Sequence, residues 1–236
     1  MAGSETSPAT RPHLNQPDGP LHPSSLPQVV GRERELRALS DAVRRLIDYS
    51  VRHLATPDVT AALARRIDAL ADELAEFVPS DAPVKYGGIA DLATSHPHDH
   101  FQFDPVLGLY NPLALPVRMT WEPPRAIGHA RFGAAYEGPP GCVHGGVLSG
   151  VFDQVFNVAN LKNGVAGPTA NLAIDYRSPT PLRRDLVFEG WVDRVENRKV
   201  FARGRVLHDG HVTAEATGLF IRVNLETLRP SPEEHV

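Results

Sequence analysis

The chain has 236 residues, 42% of them hydrophobic and 22% charged, the make-up of a soluble globular protein with one sizeable core and room for an appendage. A formal net charge of −4 leaves no basic footprint for nucleic acid, and no uninterrupted apolar run approaches the ~18 residues of a membrane span. The single Cys142 excludes an intrachain disulfide and fits a reducing compartment, so the expected location is cytoplasmic.

Residues 1–28 are rich in Pro, Ser and Thr and are expected to form a disordered tail. They lack the basic-then-apolar order of a signal peptide, and Glu5 and Asp18 argue against a transit peptide. Over 29–79 the pattern becomes helical. Leu36, Leu39, Val43, Ile47 and Val51 form one stripe, and Val59, Leu63, Ile67, Leu70, Leu74 and Phe77 form a second. Between them Thr56-Pro57-Asp58 supplies a cap, a proline at the first helical position and an acid in the first turn. The expectation is a helical hairpin. Its stripes must be buried on the outer sheet surface or across a dimer seam, because two helices of this size have too little core to stand alone.

Residues 80–116 read as a linker packed on the core through Phe101, Phe103, Val106, Leu107 and Leu109. Within it, His96-Pro97-His98-Asp99-His100 places alternate histidines on one side of an extended segment. The run is one residue short of the His-x-His-x-Asp-His spacing of metallo-hydrolases, and it reads as a solvated loop without a metal.

Period-two alternation marks strands at 117–121, 126–136, 169–176, 186–195, 200–207 and 212–223, with Asp209-Gly210 as a tight-hairpin signal. A helix fills the mostly apolar run 143–161 between the second and third of these. Two strands, a buried helix and four antiparallel strands outline an α+β fold over 117–225, a sheet wrapped around a helix, with 226–236 left as a C-terminal tail.

Asp153 is the one carboxylate in that apolar run. An ionised carboxylate removed from water costs several kcal/mol or more unless it is paired or hydrogen-bonded, so Asp153 is a functional candidate. Gly145 and Gly146 open the helix, where free N–H groups and the positive end of the macrodipole favour negative charge. This is the material of an oxyanion hole. His144, just before them, either organises the helix start or takes a direct part. Asp153 lies nine residues beyond His144, roughly 13 Å along the axis and on about the opposite face. One helix cannot bring both to one carbonyl. Two antiparallel copies can, which implies a homodimer with shared sites, alone or as a dimer of dimers.

The His-Gly-Gly at 144–146, Asp153, and Thr169 sixteen residues further on resemble the phenylacetyl-CoA-thioesterase-like branch of the hotdog-fold acyl-CoA thioesterases. Glu137-Gly138-Pro139-Pro140-Gly141 and Tyr176-Arg177-Ser178-Pro179 look like the flanking loops of that branch, and the resemblance covers about 117–223. It implies a hotdog fold and hydrolysis of an acyl-CoA thioester, with CoA part of the substrate and no separate cofactor. Asp153 would be nucleophile or general base, the Gly145 N–H would polarise the carbonyl, Gly146 would let the chain bend, and the Thr169 hydroxyl would assist. The chain departs from the branch at Gly138, where many relatives carry an Asn that contributes to the site.

Arg177, Arg183 and Arg184, after the third strand, are the nearest cationic cluster for the CoA phosphates. Cys142 reads as a small hydrophobe with no cationic neighbour to activate it, and Ser149 stands one position late for a Gly-x-Ser-x-Gly elbow. Two rival functions stand beside hydrolysis. One is a hotdog hydratase or dehydratase of enoyl thioesters, although the Gly-Asp-x-Asn-Pro motif of one hydratase branch is absent. The other is a non-catalytic acyl-CoA-binding scaffold, against which the intact set of His144, Gly145, Asp153 and Thr169 argues.

Overall fold

The computed structural model describes residues 21, 24–81 and 95–223. One sheet is built from β1 (Val117–Glu122), β2 (Arg125–Ala130), β3 (Thr169–Tyr176), β4 (Leu186–Glu196), β5 (Lys199–His208) and β6 (His211–Ile221). The strands lie in the order β1-β2-β4-β5-β6-β3, every neighbouring pair antiparallel. The long helix α4 (Gly145–Lys162) leaves from β2 and delivers the chain to β3 at the far edge, so it must cross the face of the sheet. This is the hotdog arrangement expected from the sequence. Asp209 and Gly210, both at positive φ, close the β5–β6 hairpin as the Asp-Gly signal predicts. The second strand is shorter than its alternation suggested. It ends at Ala130, Phe132 turns into the core, and Ala134–Tyr136 forms a short 3-10 turn against the first helix.

Three strands give up side chains to let α4 close on the sheet. Gly190 on β4 stands opposite Gly204 on β5, and Gly218 on β6 lies beside them. A Cβ on Gly190 would collide with Val155 Cγ1; on Gly204 it would lie 2.7 Å from Phe156 Cε1, and on Gly218 2.9 Å from Phe156 Cδ2. The Phe156 ring therefore fills a trough floored by backbone. Phe152 meets Phe188 edge-on beside it, and Phe156 meets Phe220 in the same way. All four rings are fully buried, each contributing about 1.5–3 kcal/mol through area removed from water.

The N-terminal region is docked by its first helix and by the turn that precedes it. Helix α1 (Glu33–Ser50) sends Arg44 to the carbonyls of Gly108, Leu109 and Asn111 at 2.7, 3.2 and 2.6 Å, and Asp41 pairs with the same guanidinium. Leu26 and Val29 form a small second core with Leu109 and Tyr110, so packing begins within the stretch read as a tail. The rest of that stretch, apart from residue 21 and residues 24–28, lies outside the described residues, as does the C-terminal tail. Helix α2 (Pro57–Ala75) forms behind Thr56 where the capping signal placed it. Every residue from 51 to 81 is exposed, however, so α1 and α2 do not close into a packed hairpin. The segment 51–56 leads α2 away from the helix it was expected to cover.

The histidine-rich segment is not a solvated loop. Pro97–His100 forms the short helix α3, and all four residues are buried. His96 caps it, and His100 Nε2 lies 2.5 Å from Ser95 Oγ. His98 Nδ1 is 3.0 Å from the Leu107 carbonyl, and Nε2 accepts the Met119 N–H at 3.2 Å. Those two partners need a neutral ring with its proton on Nδ1. These histidines tie the linker to β1, a use that residue spacing does not reveal.

Burial above all lowers the His98 pKa, to about 4. A histidine neutral in the fold and protonated when unfolded supports the fold fully above its unfolded value near 6.5, and that support is lost as pH falls towards 4. Unfolding free energy measured in urea should fall by roughly 3 kcal/mol across that window. His98→Leu, less stable at pH 7, should lose that slope; the same slope in the variant would assign it to other groups.

Candidate active site

The start of α4 is held by the strap before it. His144 donates its N–H to Tyr136 O at 2.9 Å, Val143 to Thr180 O at 2.8 Å, and Gly138 to Cys142 O at 3.0 Å. A Cβ on Gly138 would lie 2.7 Å from His144 Cα. Gly138 is thus pressed against backbone, and a side chain there would require the strap to move.

His144 is the N-cap, and its Nδ1 accepts the Gly146 N–H at 3.0 Å. The imidazole thereby organises the helix start and occupies one of its open donors. The N–H of Gly145 has no acceptor among the described residues. It stands at the positive end of an 18-residue helix, where negative charge is stabilised. Tyr176 donates its hydroxyl to Gly145 O at 3.1 Å, and a Cβ on Gly145 would sit 2.9 Å from that hydroxyl oxygen. Glycine is needed there for the tyrosine to lie against the helix start.

Asp153 is half-buried more than two turns further on, and both of its oxygens are held. Thr169 Oγ1 donates to Oδ1 at 2.6 Å and Asn157 Nδ2 to Oδ2 at 3.2 Å. Both donors are neutral, so they orient the carboxylate without cancelling its charge. Gly145 and Asp153 are about 12 Å apart along one helix. The candidate residues therefore gather in two groups: His144, Gly145 and Gly146 with Tyr176, and Asp153 with Thr169 and Asn157. Strand β3 serves both, its first residue reaching Asp153 and its last reaching Gly145. It is also the edge of the sheet, and most of its residues are exposed.

Three neighbours were not singled out as site residues from the sequence. Asn157 is four residues past Asp153, a spacing that places two side chains together on a helix. Tyr176 stood only in a flanking loop. Asp104 gave no signal, because its bonds are local: Oδ1 accepts the N–H groups of Val106 and Leu107 at 2.7 and 2.9 Å. That loop lies over α4, with Val106 Cγ2 3.9 Å from where a Cβ on Gly150 would stand, one turn before Asp153. Burial pushes the Asp104 carboxyl up; the two N–H groups oppose this, and the charge of Asp153 adds to it.

Of the three arginines, Arg177 is engaged by Glu215 at 2.9 Å and Asp175 at 3.7 Å. Arg183 and Arg184 are exposed and make no ion pair among the described residues. Their loop abuts the strap ahead of α4, with Leu182 donating to Gly141 O at 2.9 Å and Pro181 bridged to Cys142.

The family model for the thioesterase superfamily matches residues 140–215, which contain both groups of candidate residues apart from the Asp104 loop. A crystal structure of a thioesterase superfamily protein superimposes with a TM-score of 0.70 at 32% identity, over 79% of this chain and 94% of that one. The chain belongs to the thioesterase superfamily. Residues 117–223 alone are too few to supply that coverage, so the match of this superfamily member to the solved structure takes in part of the N-terminal region as well. The chain is also similar to acyl-coenzyme A thioesterase THEM4 of Xenopus laevis, 34% identical over 93 residues, 39% of this chain and 42% of that protein. The Mus musculus protein of that name is 33% identical over 104 residues, 43% and 45% of the two chains. The chain thus spans less than half the length of these curated relatives.

A carboxyl whose pKa is raised in the fold contributes stability that is complete below its unfolded value near 3.8 and is lost as pH rises through the folded value. Asp104→Asn keeps an oxygen for the Val106 and Leu107 N–H groups and removes the titration. It should raise the melting temperature at pH 7 and leave it almost unchanged at pH 3.5. An equal shift at both pH values would mean that charge at Asp104 is not the cause.

Proposed function

We propose that this protein hydrolyses acyl-CoA thioesters to free acid and CoA, as a homodimer in which each active site draws on both chains. The observation that carries this reading is the split between a free Gly145 N–H at the start of α4 and an oriented Asp153 carboxylate about 12 Å along the same helix. Neither group alone performs acyl transfer. Strand β3 offers the means to unite them. As an open edge of eight residues it can pair antiparallel with its copy, which sets the Thr169 end of one strand beside the Tyr176 end of the other. Asp153 of one chain then approaches Gly145 of the next.

In such a site the thioester carbonyl oxygen accepts the Gly145 N–H, and the charge developing on it is stabilised by the dipole of α4. Asp153 from the other chain follows one of two routes. It attacks the carbonyl carbon, expelling CoA thiolate and leaving an acyl-carboxyl anhydride that water opens; or it takes a proton from a water that attacks the same carbon. In both, the C–S bond breaks and water supplies the new C–O bond of the acid. Thr169 and Asn157 fix the carboxylate throughout. Arg183 and Arg184, on the loop that abuts the strap ahead of α4 and without acidic partners among the described residues, would meet the CoA phosphates, whereas Arg177 is engaged by Glu215 and Asp175. A reducing, cytoplasmic setting fits the single unpaired Cys142.

A thiol-release assay over short, medium, long and aryl acyl-CoA esters tests the activity and reveals the acyl preference. Asp153→Asn is nearly isosteric and should keep fold and assembly while lowering kcat by about 10² or more. Wild-type turnover in that folded variant removes Asp153 from the mechanism. Mixing Asp153→Asn chains with inactive Gly145→Val chains should restore about one competent site per mixed dimer. No recovery after confirmed exchange would count against sites shared between chains.

A further inference from the structure

Strand β3 touches the start of α4 through Tyr176, a contact to which hydrolysis as described above assigns no part. Two adjacent glycines leave the backbone at 145–146 free to adopt many dihedral angles. An N–H that stabilises a developing oxyanion is effective only when it is already aimed at the place where the charge appears. The glycines that open the site must therefore be held from outside.

Both peptides that flank Gly145 are pinned. In the first, the His144 carbonyl accepts the N–H groups of Val147 and Leu148 at 3.0 and 3.2 Å, and the N–H is the free donor of Gly145. In the second, the Gly146 N–H is given to His144 Nδ1 at 3.0 Å, while the Gly145 oxygen accepts the Ser149 hydroxyl at 3.0 Å and the Tyr176 hydroxyl at 3.1 Å. His144 and Ser149 belong to the helix and its cap and move with it. Tyr176 is anchored in the sheet, where its backbone is paired with Ala214 of β6. Its ring tip also occupies the space that a side chain on Gly145 would take, since a Cβ there would lie 2.9 Å from the hydroxyl oxygen and 3.2 Å from Cζ. Rotation of the glycine is blocked on that side. A tyrosine has one hydroxyl proton, and here the Gly145 carbonyl receives it, so Tyr176 acts on a substrate through Gly145.

We propose that Tyr176 is a positioning residue for thioester hydrolysis, holding the Gly145–Gly146 peptide against the sheet so that the Gly145 N–H stays aimed at the substrate carbonyl oxygen. The inference rests on the hydrolase reading above, with Gly145 as the carbonyl-binding donor. Its contacts lie within one chain, so it stands apart from the twofold dimer. The rival use of a tyrosine that is 54% exposed is as a surface on which part of CoA rests. The two uses separate in kinetics. Contact with a part of the substrate that does not react binds ground state and transition state alike and appears in KM, whereas the aim of an oxyanion donor appears in kcat.

The test begins with thiol release by the full-length wild type. No release from any acyl-CoA ester overturns the hydrolase reading and this inference together. With an active wild type, Tyr176→Phe keeps the ring and removes only the hydroxyl. Its kcat is expected to fall about tenfold with KM within about twofold of the wild type, while sedimentation and melting temperature stay close to those of the wild type. Tyr176→Leu, which also withdraws the ring from Gly145, should lower kcat further. An unchanged kcat in Tyr176→Phe overturns the inference and leaves hydrolysis standing. So does a raised KM with kcat kept, which makes Tyr176 a CoA surface, or a change of assembly, which makes it a subunit contact. Backbone amide relaxation by NMR supplies a readout independent of turnover. The Gly145 and Gly146 amides should be as ordered as the rest of α4 in the wild type and more mobile in Tyr176→Phe. Equal order in the two proteins overturns the inference.

Discussion

The seating of Phe156 in a trough of glycines is the contact on which the arrangement of this protein depends. Gly190, Gly204 and Gly218 remove side chains from three strands at the point where α4 crosses them, and the ring descends until it meets backbone. This fixes both the height of the helix above the sheet and its rotation. With Phe152, Val155, Phe156 and Ala159 directed into the core, Asp153 and Asn157 are left at its margin, half-buried and within reach of β3. A turn of the helix by one residue, ~100°, would carry Asp153 away from Thr169 and place a carboxylate among aromatic rings. Close packing of the core thus sets the register of the chemistry.

The two carboxylates near α4 are handled in opposite ways. Among the described residues Asp153 meets two neutral donors and no cation, so it is held in place without an ion pair. Asp104 is more deeply buried, faces that charge, and holds its proton more tightly for both reasons. The charge of Asp153 thus works against ionisation of its neighbour, as adjacent carboxylates do. The positive end of α4 lies too far from its own Asp153 to lower that charge's reactivity, and the same helix end in a second copy is where a developing oxyanion finds support.

What the sequence made legible follows from the kind of signal each residue carries. Asp153 stands out because one carboxylate interrupts an apolar run, and Gly145 because paired glycines open a helix; both observations are local. The strands followed from alternation, and α2 from its cap and stripe. Period and polarity identify a face but not its partner. That is why α2 appears in the sequence as half of a hairpin, although in the fold all of its residues are exposed. The same limit hid His98, whose neutral ring joins the Leu107 carbonyl to the N–H of Met119, 21 residues further along the chain than the histidine itself. Phe132 shows a further failure, of extent, because an alternating pattern continues past the residue at which the backbone leaves the sheet.

The N-terminal region and the catalytic helix meet in one short loop. Arg44 of α1 binds the carbonyls of Gly108, Leu109 and Asn111; the Gly108 N–H returns to Asp104 O at 2.9 Å; and the Asp104 side chain closes on Val106 and Leu107. A Cβ on Gly108 would collide with the Asp104 carbonyl, so this loop has little freedom to adjust. Val106 lies over Gly150, and Asp104 feels the charge of Asp153. The loop is therefore shaped on one side by α1 and on the other by α4. The N-terminal appendage is thereby joined to the carboxylate site by contact as well as by sequence.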